Sequence, residues 1–181
     1  MTGTALMVMD VQEANVARFP DPGYLPRLRG VIAAARARGL PVIYVEVGFR
    51  PGFPEISPRN KIFGGIAARA GGGGSNPIHP DVAPLDGDVV VTKRRVSAFA
   101  GSDLDVVLRA GEIDHLVLTG IATSGVVLST VRQAADLDFR LTVIADCCLD
   151  NDPDVHRVLV EKVFPRQCDV TTSALFLQSA D

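Results

Sequence analysis

The sequence has few residues of the kinds that bind metals or form disulfides. Its 181 residues include three cysteines, three histidines and no tryptophan. Cys147 and Cys148 are adjacent, so the chain offers a poor disulfide framework, and we expect it to reside in a reducing cytoplasm. The histidines His79, His115 and His156 stand far apart, and no H-x-x-x-H pair occurs. We therefore predict no metal ion and no other cofactor.

Long apolar runs and large charge imbalances are absent as well. No apolar stretch approaches the roughly 20 residues of a membrane span, and the N-terminus lacks the basic segment of a signal peptide. The formal charge is −3, and the densest basic run, Lys93–Arg95, is too short for a nucleic-acid surface. We predict neither a membrane partner nor a nucleic-acid partner. With 47% hydrophobic and 22% charged residues, residues 1–181 suit one soluble domain.

Apolar segments alternate with amphipathic segments along the chain. Strands are predicted at 4–10, 41–45, 88–92, 115–119, 140–145 and 168–172, and helices at 24–38, 103–110, 123–135 and 153–164, with a short helix at the end. The strands are almost continuously hydrophobic, which is typical of a parallel sheet covered on both faces. The pattern predicts an α/β fold of three layers, in which helices cover both faces of a parallel six-stranded sheet.

One long segment, from Gly48 to Pro84, interrupts this alternation. It contains five prolines between Pro51 and Pro80, and its run Gly71–Ser75 favours a flexible surface excursion. The phosphate-loop patterns G-x-x-x-x-G-K and G-x-G-x-x-G are both missing. Because long irregular loops are often binding loops, we predict that this segment supplies side chains to a substrate pocket. The candidates are Phe49, Arg50, Phe53, Asn60 and Phe63.

Two charged residues and one turn fall at the carboxyl ends of predicted parallel strands. Asp10 ends the first strand, Lys93 follows the third, and Gly120 begins a turn after the fourth. Ligands of open parallel sheets bind beyond these strand ends, so we expect the three features to meet in one crevice. A carboxylate beside an ammonium group can serve there in proton transfer, or it can be a buried salt bridge without a catalytic role.

The stretch Leu116–Ala135 contains the turn of this crevice. Gly120 breaks an apolar strand, and Thr123 and Ser124 are hydroxyl residues of the kind that cap helices. Apolar residues then recur at helical spacing, so a strand turns sharply into a helix whose first backbone N–H groups attract negative charge. An ordinary strand-to-helix turn without a binding role would have the same local pattern.

These residues resemble the signature of the isochorismatase-like, or cysteine hydrolase, family, which is Gly-x-x-Thr-Asp-x-Cys-Val-x-x-Thr. The matching residues are Gly120, Thr123, Val127 and Thr130. Val126 stands where the family has its nucleophilic cysteine, and Ser124 where an acidic residue is usual. The segments ALMVMDVQ and VVVTKRRVSAFAGSDLDVVLRAGEID resemble the family's first strand and its catalytic-lysine region. With three motifs in the family's order, the chain is identified as a member that lacks the nucleophile.

The resemblance implies a Rossmann-like sheet of strand order 3-2-1-4-5-6, a homodimer or larger homo-oligomer, and a small-molecule substrate. It implies catalytic positions at Asp10, Lys93 and Val126, with the backbone N–H groups of Ala122 and Val126 holding an oxyanion. It also implies a cis peptide bond between Ile121 and Ala122. Together with the irregular segment, it implies the following substrate-binding positions, of which Gln12 and Phe99 lie on the rim: Gln12, Phe49, Arg50, Asn60, Ser97, Phe99, Thr123 and Ser124.

Three functions are compatible with a missing thiol. In the first, the chain is a hydrolase that uses water as the nucleophile and Asp10 as general acid or base. It then resembles the isochorismatases proper, which lack the cysteine and hydrolyse an enol ether. In the second, Ser124 or Thr123 is the nucleophile of an amide hydrolase, although helix capping explains both hydroxyls and the sequence places no histidine base beside them. In the third, the fold is retained for binding or assembly without turnover.

Overall fold

Six parallel strands form one sheet at the centre of the protein, whose computed structural model describes residues 3–69 and 76–179. The strands are β1 (Gly3–Met9), β2 (Val42–Val47), β3 (Val89–Lys93), β4 (Ile113–Ile121), β5 (Arg140–Leu149) and β6 (Asp169–Thr171). Their order is β3-β2-β1-β4-β5-β6, and every neighbouring pair is parallel. The predicted fold class and strand order are confirmed. The run Gly71–Ser75, predicted to be flexible, lies outside the described residues.

Helices cover both faces of the sheet. They are α1 (Glu13–Val16), α2 (Tyr24–Ala37), α3 (Lys61–Arg69), α4 (Leu104–Ala110), α5 (Leu128–Asp136), α6 (Pro153–Val158) and α7 (Ser173–Gln178). Helices α4 and α5 pack on one face, and α2 and α7 on the other. A π-helical turn, Thr123–Val127, leads into α5, and a second one, Leu159–Val163, continues α6. Among the described residues, no helix is both long and apolar enough to cross a membrane.

The strands are buried on both faces, which explains their continuous hydrophobicity. In β1, Ala5, Met7 and Met9 face the layer of α4 and α5, whereas Leu6 and Val8 face the layer of α2 and α7. All five side chains are buried. Successive side chains of a strand point to opposite faces, so a strand between two helical layers must be apolar at every position.

Gly120 allows β4 to run close against the end of β1. Its φ is +146°, and a Cβ atom at this position would lie 2.3 Å from the main-chain oxygen of Met9. Glycine is the residue that tolerates both the conformation and the close approach. The pairing of β4 with β5 also shifts register between Leu118 and Gly120. The strand therefore continues through the predicted break to Ile121, and the helical turn begins at Thr123.

Helix α3 lies inside the segment that was predicted to be irregular. Its sequence pattern is masked by Gly64 and Gly65, which are poor helix formers. The Asn60 side chain begins the helix, because its Oδ1 accepts the N–H groups of Ile62 and Phe63 at 3.1 and 3.0 Å. Asn60 is therefore a helix cap, and its contact with a substrate stays a prediction.

Candidate active site

Asp10 and Lys93 form an ion pair at the carboxyl edge of the sheet. Asp10 follows β1 and Lys93 is the last residue of β3, so the lysine side chain extends past β2 to reach the carboxylate. The Lys93 ammonium donates to Asp10 Oδ2 at 2.8 Å and to the main-chain oxygen of Val96 at 2.7 Å. The Lys93 side chain is 2% exposed and that of Asp10 is 11% exposed. The predicted proximity of the two residues is confirmed, and the contact is direct.

Burial opposes the charge on both partners. It raises the pKa of Asp10 to about 6, because desolvation of the carboxylate outweighs the attraction of Lys93. Burial also lowers the pKa of Lys93, because desolvation of the ammonium group outweighs the attraction of Asp10. The second carboxylate oxygen, Asp10 Oδ1, is buried and has no hydrogen-bond partner among the described residues. A carboxyl group with one oxygen on Lys93 and the other unbonded can take up or release a proton near neutral pH.

The main chain holds Asp10 in a strained conformation. Its φ is +56°, in the left-handed region that aspartate enters more readily than most residues. The Asp10 N–H donates to the carbonyl oxygen of Val45 at 2.8 Å, and Asn15 Nδ2 donates to the Asp10 carbonyl at 2.9 Å. Strain of this kind persists where surrounding contacts enforce it, and it is common at functional sites.

The turn between β4 and α5 also lies at the carboxyl edge. The peptide bond between Ile121 and Ala122 is cis, as predicted. The N–H groups of Gly125 and Val127 donate to the carbonyl oxygen of Ala122. The N–H groups of Ala122 and Val126, which the resemblance assigns to an oxyanion, are not these two donors. The Val126 side chain is buried in the apolar cluster under α4 and α5 and offers no group for covalent chemistry.

Thr123 and Ser124 do not cap the helix, contrary to prediction. Ala122 is the capping residue, and no side chain makes a capping hydrogen bond there. Thr123 is fully buried, and its Oγ1 lies 2.8 Å from His156 Nδ1. The Ser124 N–H donates to Asp150 Oδ2 at 2.6 Å. Sequence reasoning missed His156 and Asp150, although both follow β5 at the same edge of the sheet, which was the available signal.

Gln12 and Phe99 are both buried, so neither side chain forms an exposed rim, and their role in substrate binding stays a prediction. Gln12 is buried, and its amide nitrogen donates to the main-chain oxygens of Val47 and Asn76 at 3.1 and 2.5 Å. Its Oε1 accepts the N–H of Val47, so the side chain joins the ends of β1 and β2. The buried ring of Phe99 lies 5.8 Å from that of Phe139, which precedes β5 at the opposite edge of the sheet.

The remaining predicted pocket residues have partners of their own. The rings of Phe49 and Phe63 pack edge to face at 5.3 Å. Arg50 forms an ion pair with Glu55 at 2.8 Å, and its side chain is 70% exposed. Ser97 is buried, and its Oγ accepts a main-chain N–H two residues later at 3.3 Å. None of these contacts joins the residue to the carboxylate–ammonium pair, so their role in substrate binding stays a prediction.

One large cavity is remote from the ion pair. It has a volume of about 630 Å³ and is lined at the amino edge of the sheet by residues that include Thr4, His115, Thr142 and Phe176. The unbonded carboxylate oxygen of Asp10 and the raised pKa of that group are at the carboxyl edge instead. We therefore assign the candidate active site to the ion pair and not to this cavity.

None of the three cysteines supplies a reactive thiol. Strand β5 extends beyond its predicted end, so Cys147 and Cys148 lie within it and point to opposite faces. Burial raises the pKa of Cys147 and Cys168 to about 12 and also raises that of Cys148, so all three remain protonated at neutral pH. Within residues 3–69 and 76–179, no group of three or more His, Cys, Asp or Glu side chains could hold a metal ion.

The sequence matches one family model and is similar to characterised and uncharacterised proteins. The family model described as the isochorismatase domain matches residues 4–174. The chain is 31% identical over 180 residues to YwoC of Bacillus subtilis, an uncharacterized isochorismatase family protein, with 97% of this chain and 93% of that protein covered. It is 34% identical over 182 residues to the ureidoacrylate amidohydrolase RutB of Stutzerimonas stutzeri, with 83% of this chain and 71% of that protein covered.

Solved structures share this fold, and one of them is an isochorismatase family protein. An isochorismatase family protein from Burkholderia thailandensis superposes with a TM-score of 0.82 at 30% identity, covering 97% of this chain and 96% of that one. The N-carbamoylsarcosine amidase from Thermoplasma acidophilum superposes with a TM-score of 0.75 at 29% identity, covering 95% and 97%. The strand order and the match over most of its length show that this chain belongs to the isochorismatase family of hydrolases.

Proposed function

We propose that the protein hydrolyses a small molecule with water as the nucleophile and Asp10 as the group that transfers the proton. The observation that carries this proposal is the buried oxygen Asp10 Oδ1, which has no hydrogen-bond partner in the described part of the chain. A pKa of about 6 suits this carboxyl group to give or take a proton near neutral pH. Val126 supplies no nucleophile, so the attacking oxygen comes from water.

Toward an enol ether, Asp10 acts first as an acid. Its proton moves to the enol carbon, and the neighbouring carbon–oxygen centre becomes an oxocarbenium ion. Water adds to that centre and returns a proton to the Asp10 carboxylate, and the resulting hemiketal separates into a ketone and an alcohol. Lys93 stabilises the carboxylate between the two proton transfers, because its ammonium group is already in contact with Oδ2.

Toward a carbonyl substrate, the same group acts as a base. Asp10 takes the proton of the attacking water while the oxygen of the water bonds to the carbonyl carbon. The negative charge that develops on the carbonyl oxygen requires hydrogen-bond donors, and the N–H groups of Ala122 and Val126 are the donors that we propose. Asp10 then returns the proton to the leaving group as the tetrahedral intermediate collapses.

The contact between Thr123 and His156 favours a second candidate, an amide hydrolase with a threonine nucleophile. A hydroxyl 2.8 Å from an imidazole nitrogen has the arrangement of a nucleophile and its base. Two relatives are named as an amidohydrolase and an amidase. The burial of Thr123 argues against this candidate, because a substrate must reach the nucleophile. His156 also approaches from the side of β5, whereas Asp10 lies beyond β4 at the end of β1.

A substrate screen tests the proposal. Wild-type protein and the Asp10→Asn variant are incubated with isochorismate as the enol ether, ureidoacrylate as the amide and p-nitrophenyl acetate as the ester. We expect the wild type to hydrolyse at least one class and Asp10→Asn to lose about 10²–10⁴-fold in kcat. The control variant is Asp154→Asn, which neutralises a carboxylate with 86% side-chain exposure.

Mass spectrometry of the protein during turnover separates the candidates. We expect no covalent adduct. An acyl group trapped on Thr123 or Ser124 would establish the side-chain nucleophile instead, and full activity of Asp10→Asn would make Asp10 a structural residue. Failure of the wild type to hydrolyse any of the three classes would favour a member of the fold that binds without turnover.

A further inference from the structure

Two side chains that follow β5, one in the connection to α6 and one in α6 itself, hold consecutive residues of the turn that leads into α5. Asp150 Oδ2 accepts the N–H of Ser124 at 2.6 Å. His156 Nδ1 lies 2.8 Å from Thr123 Oγ1. The two held residues lie in sequence between the two amides that would stabilise a carbonyl oxygen under the proposed function.

The contact between His156 and Thr123 can fix the orientation of the turn. Burial lowers the pKa of His156, against the charge of Asp150, so the imidazole is neutral at pH 7. A neutral imidazole has one donor nitrogen and one acceptor nitrogen, and the hydroxyl can pair with either. Thr123 is fully buried, so the loss of this partner would leave a polar group unsatisfied in the interior.

The Asp150 carboxylate joins the starts of two helices. One oxygen accepts the N–H of Ser124, and the other accepts the N–H of Asp152 at 3.4 Å. Asp152 in turn caps α6, because its side chain accepts the N–H groups of Asp154 and Val155. A carboxylate at a helix start is also favoured by the helix dipole. The start of α6 is therefore coupled to the turn through one side chain.

We infer that Asp150 and His156 are positioning residues, which hold the Thr123–Val127 turn so that the amides of Ala122 and Val126 can stabilise the reacting oxygen. This inference rests on the proposed function. Both residues act through the turn, since their contacts are with Ser124 and Thr123. A displacement of about 1 Å at an active site can cost roughly 10²-fold in rate. Because the charge on the oxygen develops in the transition state, the loss should fall on kcat more than on KM.

Truncation and conservative variants at the same positions test the inference. Asp150→Ala and His156→Leu remove the contacts, whereas Asp150→Asn and His156→Gln keep an acceptor oxygen. The matched control is Asp154→Ala, because Asp154 lies in α6, the helix that contains His156. The probe is ureidoacrylate, or p-nitrophenyl acetate if the wild type hydrolyses only that ester, because a carbonyl substrate develops the negative charge that the two amides would stabilise. A wild type that hydrolyses only isochorismate would contradict the inference. We expect the two truncations to lower kcat by about 10- to 100-fold with KM within about 3-fold, and the other three variants to stay within about 3-fold of the wild type.

Hydrogen exchange of the peptide that covers residues 119–131 gives a readout that needs no substrate. Exchange should be faster in the two truncation variants and unchanged in Asp154→Ala. If Asp150→Ala does not fold, Asp150→Glu replaces it as the test variant. This substitution keeps the charge but displaces the carboxylate by one methylene group. The inference then requires a lower kcat in a folded protein.

Two further results would overturn the inference alone. One is kcat within 2-fold of the wild type in both truncation variants while Asp10→Asn is inactive. The other is an increase in KM with no change in kcat, which would mean that the turn contributes to binding of the ground state and not of the transition state. Full activity of Asp10→Asn would instead refute the proposed function, whatever the variants of Asp150 and His156 do.

Discussion

The ammonium nitrogen of Lys93, at the end of the edge strand β3, lies 2.8 Å from Asp10 Oδ2 at the end of β1, with β2 between the two strands. Both groups are buried, so the removal of either partner leaves the other without a counter-ion in the interior. The pair therefore couples the stability of the fold to the ionisation state of the candidate active site.

Replacing Lys93 with methionine should destabilise the protein more at high pH than at low pH. The variant leaves the Asp10 carboxylate buried without its cation, which costs about 3–5 kcal/mol when the group is ionised. The Asp10 pKa, already raised to about 6, rises further without the lysine, so the carboxyl group is protonated at pH 5 and avoids this cost. Urea unfolding at pH 5 and pH 8 measures the difference.

The control for that experiment is Arg109→Met. Arg109 pairs with Asp105 on the surface of α4, with side chains 72% and 46% exposed. Its loss should leave the free energy of unfolding almost unchanged at either pH, because an exposed ion pair contributes little to stability. If Lys93→Met were equally destabilised at pH 5 and pH 8, the ionisation state of Asp10 would not change between these two pH values, and the prediction would be wrong.

The pH dependence of turnover should show an inflection near pH 6. If Asp10 acts as an acid toward an enol ether, kcat/KM falls as the pH rises through this value, because the protonated form is lost. If it acts as a base toward attacking water, kcat/KM rises through the same value. Profiles from pH 4.5 to 8 distinguish the two mechanisms. A profile without this inflection, with chemistry shown to be rate-limiting, would argue against proton transfer by Asp10.

Gly120→Ala should destabilise the protein by about 2–5 kcal/mol, through backbone strain and overlap with the main-chain oxygen of Met9. Thermal and urea unfolding both report the change. The control is Gly30→Ala in α2, where a Cβ atom meets nothing within 4 Å and alanine should stabilise the helix by up to about 1 kcal/mol. A loss below about 1 kcal/mol at position 120 would mean that β4 can move away from β1.

Val126→Cys should create the most reactive thiol of the protein. The new thiol would lie in the first turn before α5, where a helix start lowers a thiol pKa, whereas burial raises the pKa of Cys147, Cys148 and Cys168. Rates of alkylation by iodoacetamide, followed by peptide mass spectrometry, rank the four positions. Comparable rates at all four would show that the turn does not activate a thiol.

Ser124→Ala should change the free energy of unfolding by less than about 0.5 kcal/mol, because the hydroxyl is exposed and makes no capping hydrogen bond. Thr172→Ala is a suitable comparison. The Thr172 hydroxyl caps α7 by accepting the N–H of Leu175 at 3.3 Å, and its loss should cost about 1 kcal/mol. A larger loss at Ser124 than at Thr172 would reveal a contact of the serine hydroxyl that stabilises the turn.

The sheet and the ion pair were predictable from sequence for the same reason. A parallel sheet places the carboxyl ends of its strands at one edge, so Asp10 and Lys93 are expected in the same crevice. Side-chain direction beyond a strand end has no such rule. Phe99 follows β3, yet its ring reaches Phe139 at the opposite edge, and Gln12 turns inward to bond the main chain of β2.

The environment of Thr123 was predicted wrongly because local sequence favoured a cap. A threonine before a helix usually accepts the helix's own N–H groups. Here the Thr123 hydroxyl pairs instead with the imidazole of His156, 33 positions later. A contact between successive β–α units depends on how two connections pack against each other, and hydrophobic periodicity carries no information about that packing.

The location of Lys93 on an edge strand also affects when the active site forms during synthesis. Asp10 leaves the ribosome 83 residues before Lys93, an interval of several seconds at about 5–20 residues per second. In that interval the carboxyl group is hydrated and has the pKa of an ordinary aspartate, near 3.8. Its proton affinity near neutral pH arises only when folding buries the carboxyl group, which follows β1 between β2 and β4. The titration of Asp10 could therefore serve as a spectroscopic marker for the enclosure of this group during folding.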